Sequence, residues 1–160
     1  MLRTRVGYAG GATPSPTYRN MGDHTEVVQV DFVPAQVPFE QLLLEFWRQH
    51  NPSRPPYKRQ YMSIILCSDV EQRERALASR DARAGHLGKE LFTEISLLQS
   101  FTLAEDYHQK YYLRGDRSLF ARVSRLGPRE LIDSTEAARL NAYAGGYGVE
   151  PGAGLLHAAR

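Results

Sequence analysis

Glu26-Val27-Val28-Gln29-Val30-Asp31-Phe32 and, shortly after, Pro38-Phe39-Glu40-Gln41-Leu42-Leu43-Leu44-Glu45-Phe46-Trp47 are the stretch in which the chain changes period. In the first segment Val28, Val30 and Phe32 alternate with Gln29 and Asp31, the period of two of a half-buried strand. In the second, Phe39, Leu42, Leu43, Phe46 and Trp47 fall at i, i+3, i+4, i+7 and i+8, one apolar stripe of a helix facing a sheet. Pro38 is at home in the first turn, where its missing N–H is not needed. A strand feeding a helix, repeated along the chain, predicts an α+β fold.

The same reading extends outward. Residues 4–9 read as a short strand ended by Gly10 and Gly11, and residues 12–22 as a loop punctuated by Pro14 and Pro16. After the helix, Asn51-Pro52 is a stop, and Pro55-Pro56 keeps the next loop extended. Residues 61–67 are a continuous apolar run with Ile64 and Ile65, consistent with a central strand. Ser68-Asp69-Val70-Glu71-Gln72 offers capping-box chemistry for a polar helix to about Ala84. Residues 91–98 read as a strand with Thr93 and Ile95 on one side. Thr102 and Glu105 form a second capping box, opening a helix that carries Tyr107, His108, Tyr111 and Tyr112. Residues 118–126 and 133–143 are short helical patterns separated by Gly127-Pro128, with Gly145-Gly146 as a stop. The expectation is a two-layer sandwich with a mixed sheet, long loops and a helical C-terminal part: one domain over residues 1–148 and a flexible tail over 149–160.

Composition narrows the class. A chain of 160 residues suits one domain and buries roughly 70% of its unfolded surface. Hydrophobic residues at 42% and charged residues at 24% are ordinary for a soluble globular protein. A formal net charge of +2 does not argue for nucleic acid. Arg73, Arg75, Arg80 and Arg83 are interleaved with Glu71, Glu74 and Asp81, the pattern of a solvated helix face. Apolar runs long enough to span a membrane are absent from the sequence. One cysteine, Cys67, excludes an internal disulfide and makes a reducing compartment, the cytosol, the default address. An organelle leader ahead of Met1 is an open alternative.

Several motifs carry more than periodicity: Gly7-Tyr8-Ala9-Gly10-Gly11, Pro16-Thr17-Tyr18, His24-Thr25-Glu26-Val27-Val28, Phe46-Trp47, Gln60-Tyr61-Met62-Ser63 and Ala104-Glu105-Asp106-Tyr107-His108-Gln109. In these the chain resembles the A-type peptide methionine sulfoxide reductases (MsrA). The resemblance implies a ferredoxin-like two-layer α+β fold and reduction of methionine S-sulfoxide in oxidised proteins or as the free amino acid. It implies no bound cofactor but an external thiol reductant of thioredoxin or glutaredoxin type. By the same resemblance Glu26 is the proton-donating carboxyl, Tyr18 and Tyr61 are phenols that bind the sulfoxide oxygen, and Gly10, Gly11 and His24 belong to the substrate pocket.

Sulfoxide reduction needs a nucleophile for sulfur and an acid for oxygen, because oxide is a very poor leaving group. The acid half is present by resemblance. The family's Gly-Cys-Phe-Trp-Gly segment, which carries the nucleophile, does not occur in these residues. The expectation is a domain lacking its first strand and first helix, inactive as it stands, with a non-catalytic sulfoxide-binding protein as the alternative. A second departure precedes Tyr61: Pro55-Pro56-Tyr57-Lys58-Arg59 stands where many relatives carry Gly-Asn-Asp-His-Gly-Thr, so the role of that aspartate is unfilled or passes to another group.

The remaining titratable residues read as ordinary. Cys67 ends a buried strand, where cysteine behaves as a small hydrophobe, although the helix N-terminus after it favours a thiolate. His24, His50, His86, His108 and His157 show no metal-ligand spacing. Gly7, Gly10 and Gly11 are not a phosphate loop, because no lysine or helix pattern follows them. His108 reads as a structural or supporting residue, and Phe46 and Trp47 as core.

Overall fold

The protein is described from a computed structural model, which places residues 2–152. Among the described residues five strands and six helices follow in the order β1 (Arg3–Ala9), β2 (Thr25–Asp31), α1 (Phe39–Arg48), β3 (Ile64–Cys67), α2 (Val70–Leu87), β4 (Glu94–Leu97), β5 (Phe101–Leu103), α3 (Tyr111–Gly115), α4 (Arg117–Ala121), α5 (Pro128–Asp133) and α6 (Thr135–Ala144). The α+β class expected from sequence is the class observed. The strands form two small sheets, one ordered β2-β1-β5 and one of β3 and β4. β1 and β5 are antiparallel with Tyr8 opposite Thr102, and β3 and β4 are parallel with Ile65 opposite Ile95.

The described chain falls into two compact units. One holds residues 7–27 and 33–104. Here α1 and α2 pack on each other, and α2 packs on β3 and β4. Leu43, Trp47, Cys67, Ala76 and Ile95 are its buried centre. The stripe on α1 is therefore core, and the Trp47 indole donates to Ser79 Oγ at 2.8 Å, so burying Trp47 leaves no unmet donor there. Asp69 caps α2 by accepting from the Gln72 N–H at 2.8 Å, and Gly88, at φ 61°, ends it.

The other unit holds residues 2–6, 28–32 and 105–152. Short helices α3 to α6 bury Leu113, Leu119, Val123, Leu131, Ala137 and Leu140. Asp116 caps α4 and Ser134 caps α6. Gln109, fully buried, extends the strand ladder with its side chain: its Oε1 accepts from Val6 N–H at 2.9 Å and its Nε2 donates to Val6 O at 2.8 Å. Arg3 and Arg5 both pair with Asp31 and Asp133.

Several sequence expectations change. Thr102 does not open a helix: it lies in β5 opposite Tyr8, and residues 106–108 form a single 3₁₀ turn before α3. Strand pairing satisfies the backbone that the capping box was expected to satisfy. The apolar run at 61–67 shortens to β3, and Tyr61 stands in a 3₁₀ turn, Arg59–Tyr61. β3 has one partner in its sheet, β4. Pro128 starts an extra helix, α5, as its fixed φ allows at a first helical position. Val28, expected on a half-buried face, is 59% exposed. Residues 153–160, and with them most of the expected tail and His157, lie outside the described residues.

Candidate active site

The loop after β1 turns on two glycines. Gly10 takes φ 79°, which a side chain disfavours. A Cβ on Gly11 would sit 2.7 Å from the Asp23 carbonyl carbon and the His24 nitrogen, so the chain segments meet there too closely for any side chain. Asp23 seals this approach. Its carboxylate accepts from the Ala12 N–H at 2.9 Å, the Thr13 N–H at 2.9 Å and the Thr13 hydroxyl at 2.7 Å. These donors, the Ala12 amide foremost, hold the Asp23 carboxyl far below the usual carboxylate range. His24 is buried, with Nε2 2.8 Å from the Thr13 carbonyl. A carbonyl partner places the imidazole proton on Nε2.

Arg59 ties these loops together, and sequence reasoning assigned it nothing. Its guanidinium donates to Gly10 O at 2.7 Å, to Asp23 O at 3.0 Å and to the Glu94 carboxylate at 2.8 Å. Its own carbonyl accepts from the Thr25 hydroxyl at 3.0 Å. One residue thus fixes the start of the glycine loop, the end of the Asp23 loop, the first residue of β2 and the first residue of β4. The fork geometry of a guanidinium suits several acceptors at once. No local pattern in the sequence around Arg59 points to these distant partners.

The structure brings Tyr18, Glu26 and Tyr61 together. Tyr18 and Tyr61 are 44% and 50% exposed, and Glu26 is half-buried at the start of β2. The Tyr61 phenol is pushed above its ordinary value, first by partial desolvation, then by Tyr18, Glu26 and Tyr57 around it and by a side-chain hydrogen bond with Tyr18. A phenol held in this way stays protonated and remains a donor. Tyr57 stacks on Tyr61 with ring centroids 5.8 Å apart and planes at 27°. Gly10 and Gly11 are held by Arg59 and the Asp23 loop, and the buried His24 imidazole holds that loop through Thr13.

The other reactive candidates sit elsewhere. Cys67 is 1% exposed, and burial pushes its thiol up. His50 is spanned by the Phe46 carbonyl at 3.0 Å and Ser63 Oγ at 2.8 Å, a core polar chain that continues to Thr93. His108 packs on Tyr107 and lies 3.8 Å from the Glu105 carboxylate. Among the described residues no group of three His, Cys, Asp or Glu is placed to hold a metal ion, and no helix is long and apolar enough to cross a membrane.

Six helices and two small sheets, with Tyr18, Tyr61 and the Glu26 carboxyl near one another, define the class among the described residues: an α+β protein whose candidate site is a group of phenols and a carboxyl. A profile of the family described as peptide methionine sulfoxide reductase matches residues 1–138, and the chain belongs to that family. It is 45% identical over 150 residues to a peptide methionine sulfoxide reductase of Drosophila melanogaster, covering 92% of this chain and 61% of the relative. It is 39% identical to peptide methionine sulfoxide reductase A5 of Oryza sativa subsp. japonica, covering 90% of this chain and 59% of the relative. The chain therefore spans about three-fifths of the length of these relatives. Among solved structures, Mxr1 from Saccharomyces cerevisiae in reduced form matches with a TM-score of 0.61 and 25% identity, over 71% of this chain and 70% of that one.

Proposed function

We propose that these residues form the oxygen-binding, proton-donating half of a peptide-methionine (S)-S-oxide reductase. The observation that carries this reading is that Tyr61 shares a side-chain hydrogen bond with Tyr18 and lies within electrostatic reach of Glu26. A sulfoxide oxygen carries partial negative charge, and two phenolic O–H donors bind it. As the S–O bond breaks, the Glu26 acid hands its proton to the oxygen. A thiolate attacking sulfur takes up that oxygen as a sulfenic acid, releasing the thioether. A second thiol then forms a disulfide with loss of water, and an external dithiol of thioredoxin or glutaredoxin type restores the starting thiol. The substrates are oxidised methionines in proteins or the free amino acid, and a reducing compartment such as the cytosol suits the cycle.

The nucleophile in this scheme is not Cys67, which is buried and held protonated. That placement favours a narrower second reading for the 160 residues taken alone: they bind methionine sulfoxide without turning it over. Calorimetry with a methionine-(S)-sulfoxide peptide tests the site. Saturable binding is expected, weakened about tenfold in Glu26→Gln and in Tyr61→Phe, the loss of one strong hydrogen bond to the ligand. Absence of heat at millimolar peptide would reject the site. Thiol-driven turnover that disappears in Cys67→Ala would reject the assignment of Cys67 as inert.

A further inference from the structure

The segment before Tyr61, residues 55–59, presents two exposed side chains beside the candidate site. Pro55 and Pro56 restrict the backbone leading into it. Tyr57 is 75% exposed and stacks on Tyr61. The Lys58 ammonium lies 5.7 Å from the centroid of the Tyr57 ring, within cation–π range. An exposed tyrosine, with an exposed lysine next to its ring, thus stands beside a phenol of the proposed oxygen-binding group.

The charges around them differ in availability. Arg59 is spent on Gly10, Asp23 and Glu94, and Glu94 is spent on Arg59. Asp23 is occupied by Ala12 and Thr13. Among the described residues no ion pair engages Lys58, so its charge is open to a ligand. In an extended peptide, side chains two positions apart share a face at about 6.8 Å, close to the 5.8 Å step from the Tyr61 ring to the Tyr57 ring.

We propose that Tyr57 and Lys58 form a subsite for an acidic side chain two positions from the oxidised methionine, Tyr57 as the spacer and Lys58 as the cation. The inference rests on the oxygen-binding reading of Tyr18, Tyr61 and Glu26, and it makes this chain selective among peptides rather than indifferent to sequence.

Fluorescence anisotropy with three labelled methionine-sulfoxide peptides tests it, the peptides differing only in Glu, Gln or Lys two positions from the sulfoxide. The Glu peptide binds about fivefold tighter than the Lys peptide at low salt, as for an exposed charge pair, and the gap narrows at high salt. Lys58→Glu inverts the order, and Tyr57→Ala shrinks the gap. Both side chains are exposed, so neither substitution disturbs the core. An order unchanged in Lys58→Glu, or no preference in the native sequence, overturns the subsite. Glu26→Gln separates the two readings: it weakens all three peptides and keeps their order. Full-strength binding by Glu26→Gln, with Lys58→Glu still inverting the order, leaves the subsite standing and removes the role of Glu26. Failure of all three peptides to bind overturns both.

Discussion

At the scale of single residues, Arg59 has the largest share in the site without belonging to its chemistry. Tyr18, Glu26 and Tyr61 come from three separate segments, and Arg59 bonds to the chain on either side of them: Gly10, Asp23 and Glu94. Its side chain is 38% exposed, so water replaces part of what a truncation removes. Arg59→Ala is expected to lower stability by about 1–2 kcal/mol by urea denaturation, with a parallel loss of sulfoxide affinity. Arg59→Lys recovers less than half, because an ammonium cannot present a planar fork to two carbonyls and a carboxylate. An unchanged midpoint in Arg59→Ala would show that the loops hold themselves. Residue-level legibility was uneven for a physical reason. Glu26, Tyr18 and Tyr61 were reached through motifs around them, but no local pattern in Tyr57-Lys58-Arg59 announces a residue whose partners lie 35 to 49 positions away.

At the scale of elements, what was legible depended on whether the signal was local. The stripe on α1 fixes its own buried face, and Leu43 and Trp47 are indeed core. The cap of α2 is readable because Asp69 and Gln72 are three residues apart. β5 was not readable: Thr102 and Glu105 satisfy a capping template locally, yet pairing with β1 across some 95 positions wins. Tyr61 leaves its apolar run because the Tyr61 N–H closes a turn on the Lys58 carbonyl at 3.2 Å. The break before α6 shows the same balance in favour of local chemistry. Ser134 Oγ accepts from the Ala137 N–H at 3.0 Å and separates α5 from α6. α6 carries Ala137, Ala138 and Leu140 into its unit's core. Ser134→Ala should therefore cost about 1 kcal/mol, with an unchanged denaturant slope, and Ser134→Asp should cost far less. Equal losses in the two variants would mean that the cap is not what holds this junction.

At the scale of the whole molecule, buried groups contribute to the dependence of stability on pH above neutrality, and Lys110 is the clearest. It adopts φ 54°, is 4% exposed, and donates to the Thr4 and Ile132 carbonyls. Burial pulls its amine down to about 8, with Asp133 pulling it up and Arg5 pushing it further down. Asp133 and Arg5 pair with each other, and Arg3 and Asp31 complete the charge cluster. Because the folded value lies below that of the unfolded chain, the unfolded chain binds more protons between pH 8 and about 10.5, and stability rises with pH across that window. A neutral amine still has two N–H donors for its two carbonyls, so losing the proton removes a desolvation penalty without losing a hydrogen bond. Cys67 acts in the opposite sense, since its raised thiol keeps a proton that the unfolded chain releases. Comparison with Lys110→Met cancels that term, because both proteins keep Cys67. Lys110→Met also strands two carbonyls, so it is less stable than the native sequence at every pH. The prediction lies in the change of that deficit: between pH 7 and pH 9.5 it should grow by on the order of 1–2 kcal/mol in urea denaturation. A deficit that stays constant over this range would mean that the two carbonyls hold Lys110 as an ammonium in spite of its burial.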